Sequence, residues 1–173
     1  MCIRDSGATG TGGAATTFEN VNVLPVGAIV ALHCPAHGRF LRLEGETVRA
    51  TAPASVGRLP DAWLDARFIV VAAPTRGPPA IALWSPVHSR FVRVDGQRVD
   101  AKGGVTDVGA LTASRSGEQL VVVDMGNGYV ALRARASGRL ICMHAAGKVS
   151  ACSALNGAGK ADKGTRFVPV IIG

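Results

Sequence analysis

Residues 30–48 read VALHCPAHGRFLRLEGETV, and the chain writes nearly the same line twice more: IALWSPVHSRFVRVDGQRV at 81–99 and VALRARASGRLICMHAAGKV at 130–149. The landmarks keep step. Ala31-Leu32, Ala82-Leu83 and Ala131-Leu132 are 51 and 49 residues apart, and Val48, Val99 and Val149 follow at 51 and 50. Each copy then closes on a further apolar run, RFIVV at 67–71, QLVVV at 119–123 and RFVPV at 166–170. The unit is therefore about fifty residues long and occurs three times, the kind of period that defines a repeat architecture.

Four short runs in each unit have the β-branched content and alternation of strands. In the second run Leu41 and Leu43 share one face and Arg42 takes the other, as do Val92 and Val94 around Arg93 and Ile141 and Met143 around Cys142. Gly45-Glu46 and Gly96-Gln97 suit two-residue hairpin turns with glycine at the first central position, the type II′ requirement. The third unit has one residue more, and Ala145-Ala146-Gly147 suits a three-residue turn with Gly147 left-handed. Three four-stranded units give twelve strands, and none of the units can bury its apolar face alone. Threefold closure of such units is an all-β, pseudo-threefold β-trefoil: a six-stranded barrel capped by three hairpins, with no free sheet edge. The expected core is Leu32, Leu41, Leu43, Val48, Phe68, Val70 and their repeat equivalents, with Phe68, Leu120 and Phe167 in matching places.

The expected domain runs over residues 28–173. Residues 1–27 are expected to be a disordered or linker leader. Within it MCIRDS resembles a translated sequencing-adapter scar, and GATGTGGAATT at 7–17 carries too little apolar surface to pack. The expectation for residues 1–17 is that they add nothing to stability. No apolar run is long enough for a membrane-spanning helix, and the start lacks a secretory pattern. A cytoplasmic protein is expected.

With the repeat in view, the chain resembles the fascin-like, actin-crosslinking β-trefoils over about residues 28–172. The likeness rests on Val30-Ala31-Leu32, His37-Gly38-Arg39-Phe40-Leu41, Val48 and Arg67-Phe68, and on Ile81-Ala82-Leu83, His88-Ser89-Arg90-Phe91-Val92 and Val99. The family usually has Tyr where Phe40 and Phe91 stand, and the third unit departs further, with Ser137 and Leu140 replacing the histidine and the aromatic. The resemblance implies a non-catalytic module that binds actin filaments or another part of the cytoskeleton. Family bundling proteins carry several trefoils in tandem, so one trefoil binds without crosslinking unless it dimerises or is one domain of a truncated multi-trefoil parent.

The net charge of +7 favours an acidic partner. Facing residues of the first hairpin place Arg42 opposite Arg49, an unfavourable pair, whereas the second hairpin sets Arg93 against Asp100. The first hairpin is thus read as an unpaired double cation, with Arg39 and Arg58 nearby and Glu44 and Glu46 at its tip as potential neutralisers. Arg39, Arg42, Arg49 and Arg58 form the candidate partner surface for an actin filament or other acidic protein; nucleic acid is not the expected partner. The alternative is a carbohydrate-binding, lectin-like trefoil using Trp84 or Tyr129 as stacking surfaces, although the Q-x-W signature of ricin-type sugar binders is absent. No hydrolase, metalloprotease or phosphate-loop motif occurs, so no catalytic residue and no cofactor is expected. Asp61 and Asp65 read as polar residues of an irregular connection, with Trp63 or Leu64 covering the barrel. Cys34, Cys142 and Cys152 lack metal-site spacing, and His33, His37, His88 and His144 show no shared site, so no metal is expected. Cys142 faces Ser150 and Cys152 faces Leu140, a diagonal of roughly 7–8 Å between Cα atoms, so both are expected to be thiols.

Overall fold

The computed structural model describes residues 24–75, 77, 79–153 and 163–173. Residues 1–23, including Phe18, Cys2 and the glycine-rich stretch, lie outside the described residues, and the expectations for the leader go with them. The domain begins earlier than residue 28, however. Leu24 is 0% exposed in the main core, and the Gly27 amide donates to the Val70 carbonyl at 2.7 Å. Leu24, five residues before the first strand at Ile29, thus packs in the core although it lies in the stretch expected to be leader.

Thirteen strand segments are present among the described residues. Unit one holds β1 (Ile29–Cys34), β2 (Arg39–Glu44), β3 (Thr47–Ala50) and β4 (Phe68–Ala72). Unit two holds β5 (Ile81–Ser85), β6 (Arg90–Phe91), β7 (Arg93–Asp95), β8 (Arg98–Asp100) and β9 (Leu120–Gly126). Unit three holds β10 (Tyr129–Ala134), β11 (Leu140–Met143), β12 (Val149–Cys152) and β13 (Val168–Ile171). The extra segment comes from one break: β6 and β7 are the second strand of unit two, and Val92 between them still donates to Leu83 at 3.0 Å. The twelve-strand plan is otherwise intact.

The barrel wall closes on itself. β1 pairs β4, β4 pairs β5, β5 pairs β9 and β9 pairs β10. Val130 and Phe167 then exchange two 2.8 Å hydrogen bonds, and β13 returns to β1. Phe68, Leu120 and Phe167 sit opposite Val30, Ile81 and Val130, the same place in each unit, and all are fully buried. Every expected core residue lies in this one cluster except at the third equivalent of Val70, where Pro169 is half-buried.

The hairpins β2–β3, β7–β8 and β11–β12 close one end. Gly45 and Gly96 have φ of +65° and +61°, while Glu46 and Gln97 keep negative φ, as type II′ turns need; Gly147 is left-handed at +87°. The hairpins hold one another in a cycle. The amides of Ala50, Ala101 and Ala151 donate to the carbonyls of Gly147, Glu46 and Gln97, each at 2.9 Å. This cap is backbone-built, which explains why three different turn sequences form one symmetric object.

Single 3₁₀ turns at Leu64–Ala66, Ser116–Glu118 and Lys163–Thr165 lead into β4, β9 and β13. Their last residues are buried in each unit, so Glu118 lies where unit one has Ala66 and unit three Thr165. Trp63 is the residue that packs over Ala31, Phe40 and Ala66, and Leu64 is exposed. Among the described residues no helix is long and apolar enough to cross a membrane.

Candidate functional site

The outward face of each hairpin carries four side chains that the β-alternation keeps off the core: two from the outer strand and two from the returning chain. In unit one they are Arg42, Glu44, Arg49 and Thr51. The Arg42–Arg49 register is present, but the pair is not the unpaired double cation expected from sequence. Arg42 lies 3.2 Å from Glu44 and 3.7 Å from Asp65, and Arg49 lies 3.8 Å from Glu44. Asp65 enters from the 3₁₀ turn before β4, a contact that strand pairing alone does not reveal. Glu46 turns elsewhere, to Arg90 at 3.1 Å. Arg39 serves the fold, donating from Nη1 to the Thr51 carbonyl at 2.8 Å. Arg58 is exposed in the connection after β3 and makes no ion pair among the described residues.

In unit two the set is Arg93, Asp95, Asp100 and Lys102. Arg93 grips Asp100 through two hydrogen bonds of 2.9 and 3.0 Å, as the register required. Burial alone would raise the Asp100 pKa. The Arg93 hydrogen bonds, the Lys102 amide and the charges of Arg93 and Arg98 outweigh it and hold the carboxyl below its usual value. Glu118 behaves oppositely: burial pushes its carboxyl up, against its own backbone amide and the charges of Arg115 and Arg93, and its Oε1 has no hydrogen-bond partner among the described residues.

In unit three the same four positions hold Cys142, His144, Ser150 and Cys152. The two sulfurs and a ring nitrogen of His144 all lie within 4.8 Å of one another. Ser150 Oγ is 2.7 Å from His144 Nε2 and 3.8 Å from Cys152 Sγ. Cys142 faces Ser150 and Cys152 faces Leu140, and both cysteines are thiols. The expectation of no metal site rested on spacing along the chain; pairing of β11 with β12 assembles a group of ligands that no linear motif displays. His33, also read as sharing no site, has Nε2 2.8 Å from the Ala54 carbonyl and its ring 4.8 Å from Phe40. His37 and His88 sit half-buried in the turns after β1 and β5.

Where the hairpins meet, all three contribute to an open concavity of about 1100 Å³. Its charged lining is Arg49, Arg98, Lys102, Arg139 and Lys148 against Glu46 and Asp100. Both acids are engaged by arginines outside that lining, Arg90 and Arg93. Lys102 and Lys148 are exposed and make no ion pair among the described residues. Sequence reasoning missed this surface because it arises only when residues fifty apart are brought together. The recurring register offered one signal: Arg98 and Lys148 occupy equivalent places, facing Asp95 and following the hairpin turn respectively.

The sugar-stacking alternative loses its first residue. Trp84 is only 7% exposed, packed edge-on against Phe91 at 4.8 Å in a second apolar cluster. Tyr129 is half-buried beside Pro35, Ala36, Lys163 and Arg166 in a shallow depression of about 240 Å³.

No family model matches the chain, and no curated protein matches it. Among solved structures it is similar to a designed 3-fold symmetric protein, ThreeFoil, with a TM-score of 0.58 and 15% identity over 83% of this chain and 99% of that one. That likeness supports the β-trefoil fold and its threefold symmetry.

Proposed function

We propose that this trefoil is a non-catalytic binding module of fascin-like type that docks its hairpin cap on an acidic protein surface, the actin filament, in the cytoplasm. The observation that carries the reading is the cap's charge. Five cations line one concavity, and its two acids are already paired with arginines outside that lining. The thiols of Cys34, Cys142 and Cys152 suit a reducing compartment. Because Arg42 is committed to Glu44 and Asp65, this reading takes the cap, to which Arg49 still contributes, rather than the outer face of the first hairpin as the contact.

Cosedimentation with actin filaments across a salt series tests it. The double variant Arg98→Glu/Lys148→Glu is expected to bind at least about 10-fold more weakly and with a shallower salt dependence, since exposed charges lose their reach within roughly 8 Å at physiological ionic strength. Arg58→Glu, an exposed cation outside the concavity, is the control and should bind like wild type. Equal losses in both variants would mean that net charge alone is read. Absence of wild-type binding at low salt would remove the filament.

A further inference from the structure

The third hairpin differs from its two repeats in chemistry, not in shape. The four equivalent positions carry charged side chains in unit two (Arg93, Asp95, Asp100 and Lys102), three charged side chains and Thr51 in unit one, and Cys, His, Ser and Cys in unit three. From this we propose that Cys142, His144 and Cys152 form a zinc-binding site at the edge of the hairpin cap. The proposal stands independently of the actin-filament reading.

The donor set and geometry fit. Two thiolates and one imidazole are borderline-soft ligands of the kind zinc takes, and tetrahedral zinc with bonds of about 2.0–2.3 Å holds its donors roughly 3.3–3.8 Å apart. The three atoms here lie within 4.8 Å, so closing on an ion needs shifts of about an ångström. Cys142 and Cys152 come from paired strands whose register is fixed by the buried neighbours Ile141, Met143, Val149 and Ala151. His144 follows directly on β11, its amide donating to the Lys148 carbonyl at 2.8 Å. Side chains anchored in this way lose little freedom on binding. Ser150, bonded to His144 Nε2, already holds the imidazole on the side of the thiols.

Access and charge also fit. Cys142 is buried, while His144, Ser150 and Cys152 line the open concavity, which supplies an entry path and leaves the fourth coordination position to water or the Ser150 hydroxyl. Binding exchanges two thiol protons for one Zn²⁺, so the loaded cluster is neutral. Lys148 and Arg139 nearby therefore meet no added positive charge. Because the protons must leave, affinity should fall as pH falls.

The test is zinc titration of the reduced full chain against a chromophoric chelator, with cobalt(II) substitution as a spectroscopic readout. One zinc per chain is expected, with thiolate-to-cobalt charge transfer and the intense visible bands of a tetrahedral site. Cys152→Ser and His144→Ala, both at half-exposed positions, should each weaken zinc by more than the roughly 10–100-fold that loss of an outer partner costs. Cys34→Ser and Cys2→Ser should leave it unchanged. Circular dichroism of each apo variant separates lost binding from lost folding. Unaltered zinc binding in Cys152→Ser and His144→Ala would overturn the site. So would absence of stoichiometric zinc in the wild type, or tight copper(I) binding with none of zinc.

Discussion

Ser89 shows how one residue records the repeat and departs from it. The position before each repeat-equivalent arginine, Arg39, Arg90 and Arg139, is left-handed in all three units: Gly38 at φ +61°, Ser89 at +51° and Gly138 at +74°. A side chain there costs about 1–2 kcal/mol. Glycine would recover that cost, less the greater entropy it gives the unfolded chain. Ser89→Gly should therefore stabilise the domain by about 0.5–1 kcal/mol. Gly38→Ala should destabilise it by about 1 kcal/mol, since nothing lies within 4 Å of the added Cβ and only the backbone objects. Shifts of the urea midpoint in these opposite directions, at unchanged slope, would check both. At this scale the sequence was legible where chemistry is local. The turn glycines and the Arg93–Asp100 pair follow from alternation and register. Arg42 did not, because its second acid, Asp65, arrives from a connection whose path the strand pattern leaves open.

At the scale of the element, three hairpins share a backbone and differ in what they present. The register that sets Arg93 against Asp100 also sets Arg42 against Arg49 and Cys142 against Ser150, so hairpin geometry was readable in full from apolar alternation. The diagonal of Cys142 and Cys152 was readable too, but the Cys142–His144–Cys152 group was not, because the position of the His144 ring, just after β11, does not follow from strand register. The second hairpin makes a pH-dependent claim. The Asp100 pKa is lowered on folding, so its contribution is present above the unfolded value near 3.9 and fades as pH falls through the folded one. Asp100→Asn should cost about 2 kcal/mol at pH 7, with the difference from wild type shrinking below about pH 4. The Glu118 pKa is raised, so stability falls as pH climbs from the unfolded value through the folded one, and the full penalty remains above it. Glu118→Gln should accordingly gain roughly 1 kcal/mol at pH 7 and nothing in acid, where the carboxyl is already neutral. Denaturant melts of the two variants and wild type at pH 7 and through an acid series should show these differences, of opposite sign, that of Glu118→Gln gone by pH 3 and that of Asp100→Asn shrinking as pH falls through the lowered folded value.

Across the whole molecule, the barrel keeps its apolar side chains inward and the cap gathers charge. Exact repetition would make the cap a threefold ring of one chemistry. Instead the three units have diverged on their outward faces while holding one core, which leaves Arg49, Arg98, Lys102 and Lys148 around a common opening beside a pair of thiols. Periodicity specified the fold because a core has to be repeated to close. It did not specify the surface, because outward residues are free to differ and become neighbours only after closure. Amide hydrogen exchange of the domain with and without actin filaments tests that surface most directly. Added protection is expected at the three hairpin turns, over residues 45–50, 96–102 and 144–149, with the region of Tyr129, Lys163 and Arg166 unchanged. Protection centred on that second region, with the hairpin turns exchanging as in the unbound domain, would contradict the assignment of the cap as the binding face.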